Sequence, residues 1–559
     1  MEVGLEVAVR NLEMHQDAFK GSLSVDVCEK VDLLLEYIDE GNKTGKVVEE
    51  IPSLVNSVYA LKPEQIEQVL VQKSSVGIDK PLGRLRDGQT WDVAFTLLVE
   101  NVLLGASVGL GKTAVTASLI NLRREKCKEE GRPFRYLFIT ANHLIHQSRK
   151  ELVMFTGEYV GITSGDQREV GKFIDESREL DGYEGVVATY SAVKSFEFMR
   201  WLHNELKGGK IDYLFVDESE VLGNTKSDIY KSMTILRDYA TNVVCLNATV
   251  FAKDITTMYA QLDFVAPDKM PYKTPFEKAY CVKHHITNQI IGYRNTEEFN
   301  RAVRYIYFKR SRQERGVSLV GSSVHLYVHK LSSYQRSLLS QTSMYYAVFE
   351  DPSIIDDEWT FNVEDVPKAM KLLELVRQNK GEQFIVYVKN VQTQYNLRDM
   401  LERSGFTVSI LNGQDTNTPK KKALVKEAFK EEKRDVLLTN LQTGLNMNEV
   451  NHLVFYSFSK DSGKMAQVEG RMVRELNIVG KNIYLIMANQ REYEVLLKAK
   501  DHAVATARHT KGEVSMLNKF LVEGLSDNLA LVLEDLKDKN KQIGYVKYTL
   551  NEENAKIEV

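Results

Sequence analysis

The run Gly105–Thr113, GASVGLGKT, lies between an apolar stretch, NVLL (101–104), and a helix-like stretch, TAVTASLINLRREK (113–126). A glycine-rich turn from strand to helix commits this part of the chain to an α/β arrangement. It is also the architecture of a phosphate cradle: glycines let successive backbone N–H groups turn inward around an anion, and the helix N-terminus adds its dipole beneath it. Ala106 stands where the pattern GxxxxGK[ST] would place its first glycine, and Gly109, Leu110 and Gly111 complete the turn. In such a loop Lys112 supplies a point charge to the β- and γ-phosphates of a nucleotide, and Thr113 supplies a hydroxyl to Mg2+.

The rest of the chain agrees with an α/β reading. Short apolar runs recur at YLFIT (136–140), GVVAT (185–189), YLFVD (213–217) and NVVCL (242–246), separated by enough residues for crossover helices. This predicts a mainly parallel sheet buried on both faces. Pro267, Pro271 and Pro275 fall close together in a chain with only 10 prolines, and they mark the end of a first α/β domain. A second series, FIVYV (384–388), TVSIL (407–411), DVLLT (435–439), HLVFYS (452–457) and IYLIM (483–487), predicts another domain of the same rhythm. The expected organisation is an acidic helical unit over 1–80, α/β domains over 81–265 and 366–495, a basic helical segment over 266–365 between them, and a helical tail over 496–559.

The cradle needs acidic partners. In YLFVDESE (213–220) a strand ends in Asp217 and Glu218, which puts two carboxylates at the carboxyl edge of the sheet, beside the phosphate loop. There Asp217 is suited to hold Mg2+, and Glu218 to orient and deprotonate an attacking water. QVEGRMVR (467–474) sets Arg471 and Arg474 three residues apart on one helix face. In the second domain such a pair can deliver positive charge to a γ-phosphate.

Composition excludes other classes. The four cysteines, Cys28, Cys127, Cys245 and Cys281, are far apart and form no CxxC pair, so neither a zinc ribbon nor a disulfide framework is on offer. No run approaches the length of a membrane span and no signal peptide is visible, so an intracellular, cytoplasmic protein is expected. The net charge of −4 divides unevenly: residues 1–80 carry 15 acidic and 8 basic side chains, so the remainder is net positive. Seven Arg/Lys against three Glu fall in 294–315, and the same numbers fall in 420–434. Such stripes either track a phosphate backbone or form solvated helix faces.

Taken in order, these motifs resemble those of superfamily-two helicases and translocases, over roughly residues 81–495. Gln89 in LRDGQTWDVAF resembles the upstream glutamine that reads adenine, and FITANHLIHQSRKEL (138–152) resembles motif Ia. Asn247, Ala248 and Thr249 resemble the SAT motif that couples two domains. QTGLNM (442–447), with Gly444, is similar to motif V, and QxxGRxxR, with Gln467, Arg471 and Arg474, is similar to motif VI. FEKAYC (276–281), GYRNTEEFNRAV (292–303), FKRSRQERG (308–316) and LSSYQRSLL (331–339) resemble the segment between domains in Swi/Snf-type DNA-dependent ATPases. Differences from that family are Ser107 and Val108 before GLGKT, Glu220 in place of His, and NAT in place of LTGTP; they mark a compact, divergent member of a kind frequent in viruses and mobile elements.

The resemblance implies two tandem RecA-like domains sharing one ATP with Mg2+, and ATP-driven movement along DNA or its unwinding, with duplex DNA favoured and single-stranded DNA as the other substrate. It leaves an RNA helicase, a non-motor ATP-gated DNA-binding switch and the motor subunit of a larger complex as alternatives. Residues 1–80 are expected to be a scaffold or to dock a protein partner, and no membrane association is expected.

Overall fold

The apolar runs become strands because β-branched and aromatic residues fit a pleated surface that is covered on both sides. The computed structural model describes residues 27–35, 71–72, 83–85, 87–106, 111–179, 183–248, 250–251, 254–310, 323–329, 367–416, 419–441, 447, 449–470, 480–487, 490–510, 516–524, 545–551 and 555–558. The chain divides into two compact units, Met1–Arg315 with Arg508–Gly512, and Gly316–Ala507 with Glu513–Val559.

In the first unit the sheet strands are β1 (Val102–Ala106), β2 (Tyr136–Thr140), β3 (Val160–Thr163), β4 (Gly185–Thr189), β5 (Ile211–Asp217), β6 (Ala240–Asn247) and β7 (Tyr307–Arg310). They pair in the order β7-β1-β6-β5-β2-β4-β3, and every pairing is parallel. All carboxyl ends therefore lie along one edge. The helices used below are α1 (Asp87–Val99), α2 (Lys112–Glu129) and α3 (Ile255–Val265). Residues 27–35 form a helix whose Val31 and Leu34 are fully buried, and Asp32 in it pairs with Arg304 at 2.8 Å.

In the second unit the strands are β8 (Ser323–His329), β9 (Phe384–Tyr387), β10 (Val408–Leu411), β11 (Val436–Thr439), β12 (His452–Phe455), β13 (Asn482–Met487), β14 (Tyr545–Asn551) and β15 (Ala555–Glu558). Their order is β10-β11-β9-β12-β13-β8-β14-β15, parallel up to β8 and antiparallel beyond it. Alternation along the strands sorts the core into two layers: Ile385, Leu437, Leu453 and Leu485 face one side, and Phe384, Val436, Val454 and Ile486 the other. Helices α4 (Pro367–Gln378), α5 (Ser462–Glu469) and α6 (Gln490–Thr510) frame it. No helix among the described residues is long and apolar enough to cross a membrane.

Two expectations need correction. The segment 266–365 is not simply helical: β7 joins the first sheet and β8 the second, and residues 281–283 and 290–293 form a two-stranded ribbon. The tail is not simply helical either, because β14 and β15 extend the second sheet. The reason is one of pattern. YVKYTLN (545–551) alternates apolar with polar residues from Val546 on, and in YFKR (307–310) two aromatic residues are followed by two basic ones, so neither strand is an apolar run along its whole length.

Candidate active site

Three adjacent strands set out the site. β6 lies between β1 and β5, and the paired residues at their carboxyl ends are Gly105 with Asn247 and Asp217 with Leu246. Past β1 the chain enters the phosphate-type loop and leaves it through Gly111, at φ 76° and ψ 44°, directly before Lys112 opens α2. Glycine is required there twice. Its left-handed backbone suits no ordinary side chain, and an added Cβ would lie 2.3 Å from the Gln89 amide nitrogen. Gln89, buried on α1, approaches the Gly111 carbonyl at 3.4 Å, so this glutamine and the loop exit are in contact. Thr113 follows in the first turn of α2, half-buried, and Ala106 is buried at the end of β1.

On the other side of β6, Asp217 ends β5 half-buried, and the Thr140 hydroxyl donates to its carboxylate at 3.2 Å. Tyr190 donates to the Asp217 carbonyl at 2.7 Å and holds the turn that follows. Glu218, at φ 53°, takes the left-handed conformation, which costs a non-glycine residue roughly 1–2 kcal/mol. That turn swings the Glu218 side chain out of the strand register and into a buried position. Burial and the Glu218 charge push the Asp217 carboxyl up to about 6, against the opposing pull of Lys112 and Thr140. Burial first, and then Glu218, push Glu220 well above the usual carboxylate range. The edge is thus a crowded acid cluster that an incoming cation would relieve.

The site fits a nucleotide with Mg2+. Mg2+ bound with a nucleotide takes one or two protein oxygens and completes its shell with phosphate and water. The Asp217 carboxylate and the Thr113 hydroxyl are such a donor set. No group of three or more His, Cys, Asp and Glu that could hold a metal ion occurs among the described residues.

Other expected residues are distributed as follows. Asn247 ends β6 fully buried, followed by buried Ala248. Gln467 is buried on α5 of the second unit. The N-cap of α5 is Asp461, whose carboxylate accepts from the Lys464 N–H at 3.1 Å, and the next residue, Ser462, meets the His502 imidazole of α6 at 2.9 Å. Gly109, Leu110, Thr249, Gly444, Arg471 and Arg474 lie outside the described residues. The first basic stripe is not a free row of cations. Arg310 is fully buried and forms a two-bond ion pair with Asp92 of α1, with Nε to Oδ1 at 2.8 Å, while Arg304 is drawn to Asp32. In the second stripe Lys430 pairs with Glu449 and Arg434 with Glu432, each at 2.7 Å.

Sequence reasoning missed Thr140, Tyr190, Asp92 and Gln261. Thr140 could have been found as the last residue of the run YLFIT. Tyr190 and Asp92 carry no local signal, because their partners are distant in sequence, and Gln261 bonds to Ser219 and Asn247 on other elements.

The SNF2-related domain family matches residues 86–380, and the helicase conserved C-terminal domain family matches residues 367–475. No curated protein matches the chain. Among solved structures the chain is similar to a Sulfolobus solfataricus SWI2/SNF2 ATPase core in complex with dsDNA, at 15% identity, covering 85% of this chain and 99% of that one, with a TM-score of 0.37. It is also similar to a Dbp5 variant of S. cerevisiae bound to RNA and ADP BeF3, at 14% identity, covering 80% of this chain and 93% of that one, with a TM-score of 0.45.

Proposed function

Because the chain belongs to the SNF2-related family of ATP-hydrolysing enzymes, we propose that it is a DNA-stimulated translocase that converts ATP turnover into movement along duplex DNA. The observation that carries this is the convergence at one sheet edge: the Lys112 loop, Asn247 and the Asp217–Glu218 pair leave three neighbouring strands side by side.

In this reading the backbone of the loop that includes Gly109, Leu110 and Gly111 cradles the phosphates, and Lys112 balances charge on the β- and γ-phosphates. Gln89 borders the base end of the nucleotide. Thr113 and Asp217 would hold Mg2+, which would supply positive charge against the phosphate oxygens. Glu218, fixed by the turn that Tyr190 braces, takes a proton from the water that attacks the γ-phosphorus as the bond to the leaving ADP oxygen breaks. Arg471 and Arg474 are proposed to supply positive charge to the transition state, and Gln467 a neutral hydrogen-bonding amide.

The test is steady-state ATP hydrolysis by the full chain with no nucleic acid, duplex DNA, single-stranded DNA and RNA, with Lys112→Ala as control. Duplex DNA is expected to stimulate turnover most, and Lys112→Ala to lower it by about 10²–10³-fold. Strongest stimulation by single strands would favour a strand-separating helicase, and by RNA an RNA helicase. Hydrolysis indifferent to all three would contradict the motor reading.

A further inference from the structure

Beyond Asp217 and Leu246 the pairing of β5 with β6 ends, and the chains following Glu218 and Asn247 separate. A buried side chain from α3 ties them together there. Gln261, fully buried on α3, accepts at Oε1 from the Ser219 hydroxyl and from the Asn247 amide, each at 2.7 Å. Its Nε2 donates to the carbonyls of Val250 at 3.0 Å and Thr257 at 3.1 Å. An amide side chain has two donor hydrogens and two acceptor lone pairs, and all four are used. Ser219 and Asn247 are themselves fully buried, so water does not stand in for any of these partners.

The connections are specific. Ser219 is the residue directly after Glu218. Asn247 and Val250 bracket the loop that leaves β6, and the loop's far end, Phe251, packs edge-on against Tyr293 of the ribbon at 5.5 Å between ring centres. Gly223, which closes the turn after Ser219, leaves no room for a side chain: an added Cβ would lie 2.5 Å from the Thr257 methyl of α3. The acid-bearing turn and the Asn247 loop thus share one helix and one amide.

We propose that Gln261 is a positioning residue that couples the Glu218 turn to the Asn247 loop, and so sets how far nucleic acid accelerates ATP turnover. The proposal rests on the motor reading above. A shift of Ser219 as the γ-phosphate is lost draws on Gln261 Oε1, which Asn247 shares. Conversely, a shift of the Asn247 loop alters the position of Glu218. Coupling between sites of this kind is typically worth a factor of about 5–150.

The test compares the full-length wild type with Gln261→Met, Ser219→Ala and the double variant, measuring basal and duplex-DNA-stimulated ATP hydrolysis, KM for ATP and melting temperature. Methionine keeps the length of the side chain and removes its hydrogen bonds. Gln261→Met is expected to lower the stimulation ratio by about tenfold with little change in KM. Ser219→Ala is expected to lower it less, and the double variant to match Gln261→Met, because Ser219 acts through Gln261. A merely structural brace would lower basal and stimulated rates alike and leave their ratio unchanged, which would overturn the proposal. So would losses that multiply in the double variant. If Gln261→Met does not fold, full stimulation in Ser219→Ala overturns it. A wild type that hydrolyses ATP without stimulation by duplex DNA sinks the motor reading and the coupling with it, whereas a stimulated wild type matched by its variants sinks the coupling alone.

Discussion

The two sheets share a parallel, double-covered central plan, extended by two antiparallel strands in the second, but differ at their carboxyl edges. In the first unit the strand ends carry Asp217 and Glu218, with a left-handed turn and a bracing tyrosine, and the Asp217 and Glu220 carboxyls are pushed up from their ordinary range. In the second, the strand ends carry neutral groups that serve the backbone: the Thr439 hydroxyl donates to the Leu411 carbonyl at 2.7 Å, and Ser457 accepts from the Lys389 N–H at 3.2 Å. Each unit also contains a buried ion pair. Arg310–Asp92 fastens the helix that bears Gln89 to the edge strand beside β1, whereas Lys368–Glu492 fastens two framing helices and gives a further bond to the Tyr456 carbonyl at 2.6 Å. One fold is therefore used in two ways. The first sheet crowds carboxylates at its carboxyl edge, and the second ends its strands in neutral groups.

If that contrast is right, removing a polar group from each of the two edges has unequal effects. Asp217→Asn is expected to lower DNA-stimulated kcat by about 10²–10³-fold, while Ser457→Ala at the second edge leaves turnover near the wild-type rate. Comparable losses from both would break the comparison. The ion pairs sharpen it. Asp92→Ala and Glu492→Ala each leave a cation buried without its carboxylate, and each is expected to cost about 3–5 kcal/mol of stability in denaturant unfolding. Only Asp92→Ala should also raise KM for ATP, because α1 carries Gln89. Trp91 and Trp201, two of the chain's three tryptophans, lie in the first unit, so tryptophan emission should follow the loss in Asp92→Ala more closely than that in Glu492→Ala.

Gly111→Ala is expected to raise KM for ATP several-fold and to cost roughly 1–2 kcal/mol, because the new side chain meets both a left-handed backbone and the Gln89 amide. The smallest expected effect is one of pH in the second unit. Burial lowers the Lys481 ammonium to about 8, while it donates to the Val450 carbonyl at 2.9 Å and to Asn451 at 2.8 Å. Between that value and the unfolded value of about 10.4, the unfolded chain binds more protons than the folded one, so stability rises with pH. Relative to Lys481→Met, the wild type should therefore gain stability from about pH 8 to about pH 10.4 in unfolding titrations. A gap that stays constant across that range would remove Lys481 from the account.

Much of the fold was legible because both sheets are buried on both faces, so their central strands read as unbroken apolar runs: YLFIT and GVVAT match β2 and β4 end for end. The loop before Lys112 and the acids after YLFV were legible for a related reason, since their chemistry sits where a strand stops. What the sequence hides is long-range pairing. Arg310 in YFKR looks like a surface cation until Asp92, more than two hundred residues earlier, accompanies it into the core. The alternating YVKYTLN gives no apolar run to mark a strand. Gln261 is one polar residue in the buried face of a helix, and its meaning comes from partners on two other segments.

The most direct test of the central claim is to compare wild type and Glu218→Gln in two assays on the full chain, equilibrium binding of ATP with Mg2+ and duplex-stimulated hydrolysis. Glutamine keeps the shape of the buried side chain and removes its ability to take a proton. The account predicts ATP affinity close to wild type with kcat lower by about 10²–10⁴-fold. Hydrolysis at the wild-type rate in Glu218→Gln would contradict it and would place the chemistry elsewhere in the chain.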